Sequence, residues 1–308
     1  VHFAVLVAVD RRHSPGEDLE DALYEALDPL MAPYDERVRV PPHRDHEYED
    51  DWDGAHDDAL DFYTRHPEHA RGLDLGDRAA VLSSWVGEPV LWDDEVGSHY
   101  VVTTDNPRAK WDYWAIGGRY RGMLLSSDHA DPRVLPGGEQ DPRRVTGAPK
   151  HLLAFAEHRA RAEDEAARQW DAAHAVLRRN PPAETAEALV ERARTGEFGG
   201  DRAAAIRHHR SQPAVRELLG AGLEPGMSCP VEWYSVPRDE FTATARDQAV
   251  PGYAFLDLDG TWYDRDTLPG YEGPDHWLPR RREYLRRANP AIDALPDDTY
   301  LVTVDCHV

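Results

Sequence analysis

Cysteine is nearly missing from this chain: Cys229 and Cys306 are the two among 308 residues. So sparse a set excludes a disulfide framework, and a reducing, cytoplasmic compartment is the simpler expectation. Long apolar runs are missing too. No stretch approaches the ~18 residues that a membrane-spanning helix requires, so no membrane partner is expected. Positive charge is short: 35 Lys and Arg face 58 Asp and Glu, a net of −23. That balance excludes a general affinity for nucleic acid or anionic lipid, because both repel a net-negative surface. It leaves room for a local basic site, or for a protein partner that meets the acidic surface. The N-terminal VHFAVLVAVD lacks Lys or Arg before its brief apolar run and lacks a small-residue cleavage site after it. It reads as a buried strand rather than a signal peptide.

What is present argues for a packed protein. Nine Trp and thirteen Tyr exclude global disorder. The length suits one large domain or two ordinary ones. After the first strand, Ser14 and Pro15 mark a helix start, and Leu19, Leu23, Leu27 and Leu30 follow at helical spacing. RVRV at 37–40 reads as a short strand. AHDDALDFYTRH and GDRAAVLSSWV read as helices, residues 98–127 as two or three strands with tight turns, and 128–148 as a loop. From 149 to 220 Ala, Arg and Glu dominate, with one long helix ended by Asn180, Pro181 and Pro182. CPVEWYSV, GYAFLDLDGTWYDR and the terminal TYLVTVDCHV have strand chemistry, and PDHWLPRRREYLRRANP reads as a helix. The expected fold is α+β, a mixed or antiparallel sheet including both terminal strands. Its core would be 1–148 and 221–308, with 149–220 a helical insertion.

Three motifs invite chemistry. In AFLDLDGTWYDRD, Asp257 and Asp259 resemble the nucleophile and acid/base pair of haloacid-dehalogenase-type phosphatases. The tail that follows has no Lys after 261 and is too short for that fold, so Asp259-Gly260 reads as a hairpin turn. In HRDHEYEDDWDGAHDDALD, Glu49, Asp51, Asp53 and Gly54 imitate a calcium loop, but Leu60 stands where the bidentate Glu belongs. His43, His46 and His56 interleave with the acids. The stretch reads as a solvated helix start, and no metal ligand set is assigned. In the terminal VDCHV, Asp305 and His307 share one face of a strand and Cys306 the other, which makes Asp305 and His307 acid/base candidates. Arg280, Arg281, Arg282, Arg286 and Arg287 line one predicted helix, where internal neutralisation by the acidic surface is expected.

NPRAKWDYWAIGGRYRG, residues 106–122, is the basic exception in an acidic chain. Gly117 and Gly118 permit positive φ and a backbone nest for an anion. Arg119 and Arg121 share a face if extended, and their forks suit phosphate or carboxylate. Arg108 and Lys110 add charge, and Trp111, Tyr113 and Trp114 can stack on a base or fill a core.

N-P-x-x-K-W-D-x-W-x-I-G-G-R, together with D-C-H at 305–307, APYDE at 32–36 and G-x-W at 260–262, resembles a family of phage and actinobacterial proteins of uncharacterised activity. The resemblance implies a mobile-element setting and no mechanism; the helical block is a departure from it. The expected function is binding of a small anionic ligand, a nucleotide or phosphate, by Arg108, Lys110, Trp111, Gly117, Gly118, Arg119 and Arg121. Asp305 and His307 would act on it, and no cofactor is specified. The alternative is a non-catalytic acidic protein that mimics nucleic acid and blocks a basic partner.

Overall fold

The computed structural model describes residues 1–10, 18–48, 51–138, 141–223, 229–265 and 274–308, with Asp275 and His276 as backbone only. The expected helix start at Ser14 and Pro15, and Glu49 of the calcium-like stretch, lie outside the described residues. The chain forms two compact units, residues 1–30 with 113–308, and residues 31–112.

The larger unit begins with β1 (His2–Val9) and α1 (Leu19–Met31). In the smaller unit follow β2 (His43–Asp45), α2 (Trp52–Arg65), α3 (Arg78–Val86), β3 (Val90–Asp93) and β4 (Ser98–Thr103). The larger unit resumes with β5 (Tyr113–Ile116), β6 (Leu124–Leu125), β7 (Leu135–Pro136) and β8 (Arg144–Pro149). Next come α4 (Phe155–Arg179), α5 (Ala186–Arg194), α6 (Arg202–Ser211), α7 (Pro213–Gly220), α8 (Pro230–Trp233) and α9 (Arg238–Gln248). The chain ends with β9 (Ala254–Leu256), β10 (Trp262–Asp264), α10 (Pro274–Ala294) and β11 (Tyr300–His307).

The fold is α+β, and both terminal strands lie inside one mixed sheet. Its order is β10-β9-β1-β11-β8-β6, with β5 also beside β11 and β7 beside β8. β1 pairs antiparallel with β11 from His2↔His307 to Val9↔Tyr300, and parallel with β9 at Val5↔Ala254. Its residues are buried from Phe3 to Val9, which explains a continuous apolar run rather than an alternating one. Leu6, Ala8, Phe255 and Leu301 of the sheet pack against Tyr284, Leu285, Ala288 and Ile292 of α10.

A second cluster joins Ala166, Ala173 and Val176 of α4 and Leu218 of α7 to Tyr234, Val236, Phe241, Trp277 and Leu278. The helices of 149–220 thus share an apolar layer with residues on α9 and α10. In the smaller unit, β2, β4 and β3 form an antiparallel sheet. Trp52, Leu82, Val90 and Val101 are its core. Asp51 caps α2 by accepting the Asp53 N–H at 3.0 Å, so this acid serves a helix start.

Three local expectations differ from the structure. RVRV is irregular: Asp35 accepts the Arg37 N–H at 2.8 Å in a side-chain turn, and Pro41 and Pro42 follow. CPVEWYSV contains α8 instead of a strand, because Pro230 sits at the first helical position, where its fixed φ and missing N–H cost nothing. The 128–148 stretch is not all loop, since Leu135–Pro136 and Arg144–Pro149 join the sheet.

α4 is fastened to β8 by His158, which is buried and stands 3.0 Å from Arg144 Nη1. An Arg is donor only, so His158 Nε2 accepts and the ring is neutral. Burial, then Arg144, pushes its pKa down from 6.5 to about 4. The unfolded chain then binds the extra proton first on acidification. His158's contribution is complete above about pH 6.5 and is lost as the pH falls towards 4. The unfolding midpoint in urea, followed from pH 7 to pH 4, should fall less steeply in His158→Gln than in the parent. Parallel slopes would refute the assignment.

Candidate functional site

The basic segment enters the larger unit at β5, which pairs with β11 at Ile116↔Val304 and Trp114↔Cys306. The chain then turns at Gly117 and Gly118, with φ of +70° and +47°. Residues 118–120 make one 3-10 turn, so Arg119 and Arg121 do not share the extended face expected of them. The Gly117 N–H donates to Thr303 O at 2.8 Å, and the Arg119 N–H donates to Asp305 Oδ2 at 2.8 Å. A Cβ on Gly118 would stand 2.3 Å from that same oxygen. The anion expected at this turn is therefore one of the protein's own, the carboxylate of Asp305.

Asp305 also faces His2, whose Nδ1 lies 2.9 Å from Oδ1. In this contact the ring Nδ1 donates and the carboxylate oxygen accepts. The His2 and His307 rings meet edge to face, 4.9 Å between centroids. Tyr120 donates its hydroxyl to the His2 carbonyl at 2.9 Å. Gly118, Arg119, Asp305 and His307 thus meet around His2, a residue the sequence reading did not single out. Only the antiparallel register of the two terminal strands could have exposed it. Cys306 points away and is fully buried, which pushes its thiol pKa up. Arg119 and Arg121 are both exposed, and Arg121 lies 3.4 Å from Glu20.

Arg108, Lys110 and Trp111 belong to the smaller unit and serve its packing. The Arg108 guanidinium lies 4.6 Å over the Tyr34 ring and donates to the Tyr34 hydroxyl at 2.7 Å. Lys110 N–H donates to Tyr34 O at 2.8 Å, Glu36 N–H to Trp111 O at 2.9 Å, and Asn106 Nδ2 to Pro33 O at 2.9 Å. Trp111 is buried. NPRAKWD and APYDE, far apart in sequence, are one clasp.

A different cation cluster stands in the larger unit. Arg265, just after β10, lies 4.2 Å over the Tyr253 ring and bonds to that side chain. Tyr284 and Tyr120 are its other polar neighbours, and its Nε is buried without a partner. Arg281 of α10 lies 5.3 Å over Trp233 and 6.0 Å over Trp277, which stack on each other at 5.0 Å. Its Nε is also buried and unpartnered. Burial, and next the charge of Arg265, pull the Arg281 pKa down to about 9. Among the described residues, neither guanidinium has a carboxylate in contact. The arginine-rich helix reads from sequence as neutralised by the acidic surface. Arg282 does reach Glu240 at 2.6 Å and Arg286 reaches Glu283 at 2.7 Å, but Arg281 turns inward among tryptophans. The sequence held no signal for this pair, because it depends on how α10 docks.

The phosphatase-like motif is a hairpin. β9 and β10 pair at Leu256↔Trp262, Gly260 takes φ +80°, and the Gly260 N–H donates to Asp257 O at 3.0 Å.

Gly118→Ala tests the turn. A side chain there meets Asp305 and demands positive φ, a strain of roughly 1–3 kcal/mol before any clash. Equilibrium unfolding should show a loss of at least about 2 kcal/mol; a neutral result would show that the turn is not pinned to Asp305. No protein-family model, curated protein or solved structure matches the chain, so these contacts are the ground on which its function is read.

Proposed function

We propose that the chain binds a small anionic ligand, phosphate- or nucleotide-like, in its larger unit beside Arg265 and Arg281, with Arg119 at the rim. One observation carries this reading. In a chain with 58 carboxylates, two half-buried arginines near each other, each with its Nε buried and unpartnered, have none among the described residues. Arg44, Arg133, Arg143 and Arg238 each hold one at 3.0 Å or less. Burying an uncompensated charge costs several kcal/mol, and an anion that enters recovers it. Tyr253, Trp233 and Trp277 offer flat apolar faces, which suit a ligand with a ring beside its charge.

Tyr120 links this cluster to the acid/base candidates, since its hydroxyl holds His2 O and feels the charges of Asp305, Arg119 and Arg265. Asp305 orients His2, and His2 Nε2 or His307 takes or gives the proton in any reaction on the ligand. Arg108, Lys110 and Trp111 support the smaller unit rather than the ligand. The family resemblance supports a phage or mobile-element setting. Two cysteines outside any disulfide are compatible with the cytoplasm. No helix among the described residues is long and apolar enough to cross a membrane.

A second reading has its own support. Residues 31–112 hold twenty Asp and Glu against eight Lys and Arg, a net of −12 in 82 residues, about half of the chain's excess. Such a density suits an acidic surface that occupies a basic partner in place of nucleic acid.

A thermal-shift screen against nucleotides, inorganic phosphate and phosphorylated metabolites, followed by calorimetry of any hit, separates the two. Arg265→Met and Arg281→Met should weaken the hit roughly ten- to a hundredfold, the worth of one charge-assisted contact. Without ligand, both should be as stable as the parent or more so, by up to about 4 kcal/mol, because an unpaired buried charge is gone. Arg119→Lys keeps charge but loses the fork and should weaken binding less. A hit indifferent to both Met variants would sink the anion site, as would Met variants that lose stability. An empty screen would leave the acidic-surface reading ahead.

A further inference from the structure

Far from the arginine cluster, three side chains converge at the junction of α5, α6 and α8. His209 is in the last turn of α6, Cys229 immediately precedes α8, and Glu232 lies within it. One ring nitrogen, the Sγ and one carboxylate oxygen all lie within 4.8 Å of one another. His209 is 2% exposed and Glu232 4%. His209 Nε2 and Glu232 Oε2 are both buried with no hydrogen-bond partner. Two unsatisfied buried polar atoms in one spot demand an explanation, since each forfeits roughly 1–3 kcal/mol. A histidine N–H on the carboxylate would satisfy both, yet that bond is not made.

The second carboxylate oxygen shows how the group is held. Glu232 Oε1 accepts from the backbone N–H of Ala186 and of Glu187, at the start of α5. The partial positive charge of that helix end anchors the carboxylate through Oε1 and leaves Oε2 without a hydrogen bond. Cys-x-x-Glu places its two donors on one side of a single turn, and α6 supplies the third.

We infer that His209, Cys229 and Glu232 are three ligands of a divalent transition-metal site, with Zn²⁺ the best-matched ion. Nitrogen, thiolate sulfur and carboxylate oxygen are the donor types zinc takes, in a four-coordinate arrangement. Calcium and magnesium are disfavoured, because both require oxygen donors. Three protein ligands leave the fourth position to water or to a further ligand. Two anionic donors balance the charge of the ion, so the bound site is close to neutral in its apolar surroundings.

The test uses the full chain, stripped with EDTA and reloaded with Zn²⁺ or Co²⁺ alone. Mass spectrometry of the dialysed protein should find one equivalent of zinc. Cobalt should give the near-ultraviolet thiolate charge-transfer band and the intense visible bands of a tetrahedral site. Cys229→Ser should abolish the charge-transfer band, whereas Cys306→Ala should leave it. Competition with a chromophoric chelator should show zinc affinity falling in Cys229→Ser and His209→Gln by more than the roughly tenfold that loss of an outer-shell partner costs. Zinc should raise the melting temperature of the parent and not of Cys229→Ser. If His209→Gln fails to fold, parent stoichiometry and the Cys229→Ser spectrum decide. Less than half an equivalent of zinc, or cobalt spectra unchanged by Cys229→Ser, would overturn the inference and assign any binding to scattered surface histidines.

Discussion

The pairing of β1 with β11 is the constraint from which the larger unit is built. These two strands, at opposite ends of the chain, lie side by side in the middle of the sheet rather than at its edge. The other strands of that sheet build outward from them: β9 pairs with β1, β5 and β8 pair with β11, and β10, β6 and β7 join through β9 or β8. Their register sets His2 opposite His307 and brings Asp305 within reach of both His2 and the Arg119 N–H. A slip of one residue would send Asp305 to the face now held by Cys306, and the acid/base candidates would vanish with it. The geometry of the candidate site is thus a consequence of strand register before it is a matter of side-chain choice.

Electrostatics then divides the arginines into two kinds. At the surface they meet the acids that an excess of carboxylate makes abundant, and such exposed pairs contribute little each. Half-buried, Arg265 and Arg281 are set against tyrosine and tryptophan rings. Those faces attract a cation weakly, by roughly 0.5–2 kcal/mol, which falls short of what desolvation of a guanidinium costs. The basic segment that stands out in sequence belongs to the first kind or to packing. Arg108 lies flat on Tyr34, and Arg121 faces Glu20. The turn at Gly117 and Gly118 takes positive φ, but the N–H that follows it, from Arg119, is held by Asp305.

How much was legible follows from the range of the interactions concerned. Local signals read well. The apolar runs at 3–9 and 300–304 are buried strands, Asp259-Gly260 is a hairpin turn, and the Ala-rich block holds a 25-residue helix that ends at Asn180. Each is decided by periodicity or turn chemistry within a few residues. Where local and tertiary preferences compete, the reading missed. VEWY has β-prone residues, yet Pro230 starts a helical turn because Tyr234 and Trp233 are needed against Phe241 and Trp277. RYR can extend, yet Asp305 curls it into a 3-10 turn.

The candidate sites were the least legible, and for one physical reason. Their members are brought together by packing between elements that sequence spacing does not relate. His2 and Asp305 are separated by almost the whole chain, and His209 and Glu232 stand on different helices whose angle no periodicity encodes. What marks them instead is an imbalance visible only in three dimensions: a buried polar atom without a partner, or a charge without its opposite. Most buried polar groups in a folded protein are satisfied, so an unsatisfied one means that something outside the chain completes it or that stability is forgone there. Here the two imbalances have opposite sign. On the two proposals, the arginine pair would take an anion and the His209–Cys229–Glu232 group a cation. A single bound molecule could not serve both, so the proposals imply separate ligands.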